Sequence, residues 1–192
     1  MSEARAAQAY WAGRKVGAFS RRRTWSAALA ERILAFEPRS VFEFGCNVGR
    51  HLIEIRERNP DIVLRGIDIN AAAVREGRKS GLHLAVGDER AMVVIGPDAF
   101  DVAFTSSVID HVPDPTRALR ELARIAPVLV LLEPWLGYEG KVTTVSPGVK
   151  ANPFLYSWDY AKRLPGWDVT SEPFPLRPEG AGPFYRLHIA RR

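Results

Sequence analysis

The sequence has little cysteine and no long hydrophobic run, and both absences exclude classes of protein. Cys46 is the only cysteine among 192 residues, which excludes an intramolecular disulfide framework and a cysteine-rich zinc site. No apolar stretch approaches the roughly 18 residues that a membrane-spanning helix needs. The first residues also lack the charged-then-apolar layout of a secretory signal. We therefore expect a cytoplasmic protein that does not enter a membrane.

The net charge of +5 is concentrated at the start of the chain. Residues 1–32 hold seven basic side chains against Glu3 and Glu31, whereas the rest of the chain holds 20 basic and 20 acidic residues. Such a segment attracts an anionic substrate, nucleic acid or a lipid surface, or it is simply a solvated helix face. The basic residues are Arg5, Arg14, Lys15, Arg21, Arg22, Arg23 and Arg32.

The hydrophobic pattern predicts alternating strands and helices in one domain. An alternation of this kind implies parallel βαβ units and a three-layer α/β sandwich. Strands are expected at 41–44, 62–67, 82–86, 101–105 and 128–132, and helices at 49–58, 70–79 and 114–125.

The two ends of the chain differ from this alternation. Residues 4–36 are predicted to be helical, with a break near Gly13 and Gly17. Residues 134–153 are predicted to form a loop. A short helix at 157–164 is followed by two strands, at 167–170 and 184–190. A loop divides these two strands, which indicates an antiparallel hairpin added to the parallel sheet.

A glycine-bearing turn joins the first predicted strand to the following helix. It reads Glu43-Phe44-Gly45-Cys46-Asn47-Val48-Gly49, and we expect its glycines to let the backbone pass close to a ligand. Unpaired N–H groups at the start of the helix favour an anionic group there. The turn lacks the third glycine of a dinucleotide fingerprint, because Asn47 and Leu52 occupy the comparable places.

Acidic side chains end the second and third predicted strands. Asp68 is placed to accept both hydroxyls of a ribose, because parallel strands bring their carboxyl ends to one edge of the sheet. Asp88 offers an acceptor for an amino group such as the exocyclic amine of adenine. Each acid alone is equally explained as a helix N-cap or a solvated strand end. Together with Glu43, they indicate a nucleoside site.

These features resemble the class I S-adenosylmethionine (SAM) dependent methyltransferases. The first motif of that family is an acidic residue followed by G-x-G-x-G, and residues 43–49 match it with Asn47 in place of the middle glycine. Asp68 matches the family's acidic ribose ligand, Asp88 the acid that faces adenine, and residues 100–112 the fourth-strand segment. The resemblance covers about residues 40–133 and implies SAM as the cofactor. It also implies a Rossmann-like α/β fold, with a mostly parallel seven-stranded sheet and an antiparallel C-terminal strand.

The resemblance further implies one methyltransferase domain over residues 1–192, with a helical lid at 1–37 and the core at 38–192. Within that lid, Tyr10, Trp11 and Arg14 are candidates to cover the sulfonium, because aromatic faces attract cations. Cys46 is interpreted as a small packing residue of the cofactor loop rather than a nucleophile. The implied cofactor-binding residues are Glu43, Gly45, Cys46, Asn47, Gly49, Asp68, Ile69, Asp88 and Ser106.

Residues 42–50 carry a closer similarity. They match the E-F-G-C-N-x-G-R signature of small methyltransferases associated with pseudaminic acid and related sugar biosynthesis. Those proteins also carry an early aromatic-Trp pair, as Tyr10-Trp11 does here, although the loop after Glu133 departs from them. This similarity implies a small-molecule acceptor such as a sugar or another secondary metabolite, and an anionic acceptor fits the basic start of the chain.

His111, with Asp110 beside it, is the candidate for acid–base chemistry. Methyl transfer mainly requires that donor and nucleophile are aligned and shielded from water. A general base is needed only where the nucleophile is a hydroxyl or a protonated amine. The alternative for His111 is a structural role. Glu133, at the end of the fifth predicted strand, either lines the substrate pocket or meets solvent.

Two other functions stay open. A nucleic-acid (RNA) methyltransferase would use the basic start of the chain, but Thr105-Ser106-Ser107-Val108 stands where an Asn/Asp-Pro-Pro-aromatic tetrapeptide is expected, so nucleic acid is disfavoured. A non-catalytic scaffold that binds only SAM or another protein is suggested by Asn47. No metal is expected, because His51, His83 and His188 have no metal-ligand spacing with acids or with Cys46.

Overall fold

The computed structural model describes residues 1–17, 24–146, 149–150, 153–174 and 185–192. Short 3-10 turns cover Ala91–Val94 and Ile109–His111. The helices are α1 (Glu3–Ala12), α2 (Thr24–Leu34), α3 (Arg50–Arg58), α4 (Ala71–Arg78), α5 (Thr116–Ile125) and α6 (Tyr160–Arg163). The strands are β1 (Ser40–Phe44), β2 (Val63–Asp68), β3 (His83–Val86), β4 (Val102–Ser106), β5 (Val128–Pro134), β6 (Gly140–Lys141), β7 (Thr144–Ser146), β8 (Val149–Lys150), β9 (Tyr156–Ser157), β10 (Asp168–Pro173) and β11 (Tyr185–Arg191).

Seven strands form one sheet in the order β10-β11-β5-β4-β1-β2-β3. Strand β11 runs antiparallel to both of its neighbours, β5 and β10. The other neighbouring strands are parallel, so the carboxyl ends of β1 to β5 lie along one edge of the sheet. The predicted Rossmann-like fold, with a mostly parallel seven-stranded sheet and an antiparallel C-terminal strand, is confirmed.

Apolar side chains fill both sides of this sheet. Successive residues of a strand point to opposite faces, so Val41 packs with Leu29 and Leu52 of α2 and α3 on one side. Phe42 packs with Leu122 of α5 on the other side. A side chain of this size stabilises the fold by roughly 1.5–3 kcal/mol when it is fully buried. The two apolar layers hold the carboxyl edge of the sheet in a fixed geometry.

Polar caps set the ends of the helices near that edge. The side chain of Asn70 accepts hydrogen bonds from the N–H groups of Ala72 and Ala73, which confirms its predicted role as N-cap of α4. At the start of α3, Gly49 provides no side-chain cap. Gly49 therefore has no side chain with which to satisfy the first N–H groups of α3.

The segment after β5 differs from the predicted loop. Residues 134–153 contain the short strands β6, β7 and β8, of which β7 pairs antiparallel with β8 and β6 pairs antiparallel with β9. The predicted helix at 157–164 is shortened to α6, because Ser157 belongs to β9 and Asp159 caps α6 by accepting from the N–H of Lys162. The basic run 21–23 lies outside the described residues. Among the described residues, no helix combines the length and the apolar character needed to cross a membrane.

Candidate functional site

The turn after β1 has the backbone conformation that its glycines predict. The N–H groups of Gly45 and Cys46 donate to the Ile67 carbonyl at 2.8 and 3.0 Å, and φ is +75° at Gly45 and +74° at Gly49. A Cβ atom at Gly45 would lie 2.3 Å from Cγ2 of Val108, and one at Gly49 would lie 2.3 Å from Cδ1 of Leu82. On the side where a Cβ atom would project, these glycines therefore leave room for the side chains of Val108 and Leu82.

Asn47 adopts the left-handed conformation in place of a glycine. Its φ is +52°, a region that asparagine tolerates better than most residues. Its side-chain oxygen accepts from the N–H of Val48 at 3.0 Å, and its own N–H donates to Asp68 at 2.7 Å. The substitution thus preserves the shape of the turn.

Asp68 ends β2 with its carboxylate directed at the turn. One oxygen accepts from the N–H of Asn47 and the other from the N–H of Asn70, both at 2.7 Å. Burial raises the pKa of Asp68, and these two N–H groups pull it back towards its usual value. Each carboxylate oxygen has a second lone pair, so Asp68 can accept two further hydrogen bonds from a ligand.

Helix α1 lies across the carboxyl edge of the sheet. Gln8 donates to Asp88 at 3.1 Å, so the acid predicted to face adenine is already paired with α1. The side chain of Asn70 donates to the Arg14 carbonyl at 2.7 Å. Trp11 stacks on His111, with 4.0 Å between the ring centres. These contacts place α1 over the segments that follow β2, β3 and β4.

Two strand residues at this edge each carry a buried polar atom without a hydrogen-bond partner. These atoms are Oε2 of Glu43 on β1 and the hydroxyl of Ser106 at the end of β4. Burial raises the pKa of Glu43 well above its usual value, although the charge of Arg50 opposes this shift. A buried polar atom without a partner costs free energy unless a ligand or water satisfies it. Both atoms are therefore suited to contact a polar ligand.

His111 lies in the 3-10 turn after β4, beneath Trp11. Its Nδ1 lies 2.9 Å from the Phe154 carbonyl, which can only accept, so Nδ1 carries a hydrogen. Burial lowers the pKa of His111 to about 4, so the ring is neutral near neutral pH. Its Nε2 then carries a lone pair, 3.5 Å from Oδ1 of Asp110. Nε2 is therefore the ring nitrogen of His111 that can accept a hydrogen bond or a proton.

Glu133 at the end of β5 is fully buried, so the expectation that it might meet solvent is wrong. Its carboxylate accepts from the hydroxyl of Thr105 at 2.6 Å and from the N–H groups of Val108, Ile109 and Asp110 at 3.1 to 3.3 Å. These donors fix the turn that carries Asp110 and His111. No local pattern in the sequence indicated this role, because the partners lie 23 to 28 residues apart.

The remaining predicted residues have plainer surroundings. The Cys46 side chain is buried, and a Cβ at Gly66 would lie 2.9 Å from its sulfur, which supports the packing interpretation. Ile69 is partly exposed. Tyr156 and Trp158 are buried and stacked on each other, with 5.7 Å between the ring centres. Within the described part of the chain, no group of three or more potential ligands is arranged to hold a metal ion.

Comparisons with known proteins agree with this architecture. The chain is 29% identical over 99 residues to ajmaline N-methyltransferase from Rauvolfia serpentina, covering 47% of this chain and 33% of that protein. It is 33% identical over 92 residues to trans-aconitate 2-methyltransferase from Rhodococcus jostii (strain RHA1), and this match covers 48% of this chain and 35% of that protein. The matches thus span about a third of the length of these curated relatives.

A solved structure shares the fold. It is 1,6-didemethyltoxoflavin-N1-methyltransferase from Burkholderia thailandensis, with its substrate and S-adenosylhomocysteine bound. It superposes with a TM-score of 0.66 at 16% identity, over 88% of this chain and 79% of that one. The methyltransferase domain family matches residues 18–175. That match covers most of the sequence, and the chain therefore belongs to the methyltransferase domain family.

Proposed function

We infer that this chain is a SAM-dependent methyltransferase that methylates an oxygen or nitrogen atom of a small molecule. The observation that carries this proposal is the path of α1. Helix α1 and the residues just after it contact Asp88, His111 and Asn70 beside Asp68, so one segment covers the nucleoside acids and the basic nitrogen together. Residues 1–37 then act as a lid on the core at 38–192 within one domain. The single, buried and free Cys46 supports a cytoplasmic location.

The described residues fit the cofactor. Asp68 has acceptor capacity left for the ribose hydroxyls, and the unpartnered oxygens of Glu43 and Ser106 suit the charged amino-acid end of SAM. The remaining cofactor contacts come from Gly45, Cys46, Asn47, Gly49, Ile69 and Asp88. SAM supplies a methyl group made electrophilic by its sulfonium sulfur. The Burkholderia enzyme, which holds S-adenosylhomocysteine on the same fold, supports this assignment.

His111 is the general base, and Asp110 assists it. The hydrogen bond from Nδ1 to Phe154 holds the ring so that Nε2 presents its lone pair. When the oxygen or nitrogen of the acceptor gains the methyl group, its proton passes to Nε2. Asp110 stabilises the resulting imidazolium, because Oδ1 lies 3.5 Å from that nitrogen. The stacked Trp11 excludes water from one face of the ring.

The acceptor is a small molecule, with a sugar or another secondary metabolite preferred. The similarity of residues 42–50 to the methyltransferases of sugar biosynthesis supports the sugar. The named substrates of the relatives, ajmaline, trans-aconitate and didemethyltoxoflavin, are also small. Arg14 lies beside Tyr10 and Trp11 and provides positive charge for an anionic acceptor. A macromolecular acceptor such as RNA is not favoured by any described contact.

Calorimetric titration with SAM and with S-adenosylhomocysteine tests this proposal. We expect the wild-type protein to bind both, and Asp68→Ala to bind more than about tenfold more weakly, because two ribose hydrogen bonds of roughly 1 kcal/mol each are lost. Asp101→Ala is the matched control, since Asp101 also accepts from two backbone N–H groups, of Arg39 and Ser40, but at the amino-terminal start of β4. If wild type binds neither ligand, the proposed function is wrong. If Asp68→Ala binds as wild type does, the ribose assignment is wrong.

A further inference from the structure

A buried pair of carboxyl groups lies behind His111. Asp110 and Glu133 are both fully buried, on the 3-10 turn and on β5. Glu133 accepts from four donors: the Thr105 hydroxyl and the N–H groups of Val108, Ile109 and Asp110. Four donors stabilise negative charge strongly, because each hydrogen bond favours the ionised form. The geometry therefore assigns the negative charge of the pair to Glu133.

Asp110 has a poorer set of partners. One oxygen accepts from the Tyr185 hydroxyl at 3.4 Å, and Tyr185 in turn accepts from Ser107 at 3.0 Å. The side chain of Asp110 also lies within hydrogen-bond reach of the Glu133 carboxyl group. The other oxygen, Oδ1, is buried without a hydrogen-bond partner, 3.5 Å from Nε2 of His111. That nitrogen carries a lone pair, since Nδ1 holds the hydrogen. Two acceptor atoms thus face each other, and one proton on Oδ1 would satisfy both.

We propose that Glu133 is a positioning residue that keeps one proton on Asp110, directed at Nε2 of His111, and that His111 becomes a free base only when this proton leaves. The inference rests on the proposed function, because it describes how the general base of that reaction is made available. The proton is released to solvent, which leaves Asp110 and Glu133 ionised and His111 neutral. The acceptor's proton then passes to Nε2, beside the ionised Asp110.

The electrostatics of the cluster keep a proton on the carboxyl pair near neutral pH, and the four donors around Glu133 are the reason for placing that proton on Asp110. Burial raises the pKa of Asp110 to about 7 and that of Glu133 to about 8, so the pair holds a proton near neutral pH. His111, with a pKa lowered by burial to about 4, does not itself change charge in that range. Other charged or titratable groups face the cluster: Tyr185 and His188 of β11, Tyr160 of α6, and Arg14 after α1. Burial raises the pKa of both tyrosines well above the usual value and lowers that of His188 to about 4, so none of these three titrates near pH 7.

The test follows the ¹⁵N resonance of His111 Nε2 in the free protein, from about pH 5 to about pH 9. His111→Gln assigns the signal, and His51, His83 and His188 provide internal references. We expect the resonance to move with a midpoint near the pKa of Asp110, about 7, as the hydrogen bond from Oδ1 is lost. Asp110→Asn should abolish this transition. The titration needs neither cofactor nor acceptor, so it succeeds or fails independently of SAM binding.

Two variants separate the charge of Glu133 from its structural role. Glu133→Gln removes the neighbouring negative charge and should move the midpoint to lower pH. Thr105→Val removes one donor from the Glu133 carboxylate and nearly conserves side-chain volume, so the midpoint should move to higher pH. Both changes loosen the same turn, and a merely structural role would not shift them in opposite directions.

The outcomes are distinct. Opposite shifts support the proposal, and so does the rise in midpoint for Thr105→Val alone if Glu133→Gln does not fold. A wild-type resonance that stays constant over the whole range overturns the proposal. Shifts of the same sign in both variants also overturn it. Calorimetric binding of S-adenosylhomocysteine to the same samples reports separately on the proposed function.

Discussion

At the scale of the single residue, backbone conformation decides which side chains the turn after β1 accepts. Gly45 combines a φ of +75° with a Cβ position 2.3 Å from Val108, so Gly45→Ala should destabilise the protein by about 1–3 kcal/mol. Gly96 has no atom within 4 Å of its Cβ position, and Gly96→Ala is the control, with a change below about 1 kcal/mol. Urea unfolding measures both. Equal midpoints for the two variants would contradict this account.

Single residues also show which parts of the candidate site can be predicted from the sequence. Asp68 is predicted at the site because it ends a parallel strand, whose carboxyl end shares one edge with its neighbours, and Ser106, which the family resemblance implies, ends β4 at the same edge. The role of Glu133 could not be predicted, because its partners come from a turn more than 20 residues earlier in the chain. The pairing of Asp88 with Gln8 spans 80 residues and has no local pattern either. Residues placed by regular strands were predictable, and contacts between distant loops were not.

At the scale of the element, helix α1 is held over the site by a few specific contacts. Trp11 supplies the stack on His111, and an aromatic pair of this kind is worth about 0.5–1.5 kcal/mol. Trp11→Ala should therefore increase amide hydrogen exchange in α1 roughly two- to tenfold. Arg5→Ala changes an exposed position of the same helix and should leave exchange unaltered. Equal protection of α1 in both variants would show that the stack does not hold the helix.

The elements themselves were predicted to different degrees. The core strands begin and end within about two residues of the prediction, because their apolar runs are short and bounded by glycine, proline or acidic residues. The 3-10 turn at Ile109–His111 was missed, since the Glu133 carboxylate stabilises it rather than any local pattern. The short pairs β6–β9 and β7–β8 were missed for a related reason. Strands of two or three residues are too short to show a period.

At the scale of the whole molecule, the sheet order explains why so many titratable groups lie together. Strands β5, β4 and β1 are neighbours, so Glu133, the turn after β4 and Glu43 meet at one edge. Antiparallel β11 adds Tyr185 beside them. Few solvent contacts reach this cluster, and its charges depend on one another. Protonation of this cluster should therefore affect the stability of the fold as well as catalysis.

The stability of the fold should fall as pH rises from about 6.5 to about 8.5. The pKa values of Asp110 and Glu133 are raised in the folded protein to about 7 and about 8, above the ordinary values of 3.8 and 4.5. The folded state therefore binds more protons than the unfolded state in this range, and deprotonation favours unfolding. The buried histidines His111 and His188, with pKa lowered to about 4, oppose this trend only below about pH 6.5, where the unfolded state is the one that takes up protons.

Urea unfolding at several pH values measures this slope, and Asp110→Asn should flatten it, because the group that carries the proton of the pair is gone. Asp114→Asn is the control. The hydroxyl and N–H of Thr116 lower the pKa of Asp114, so it stays ionised in both states across this range and its variant should keep the wild-type slope. If Asp110→Asn and wild type lose stability equally, Asp110 is already ionised at neutral pH, and the proton assigned to it is not there.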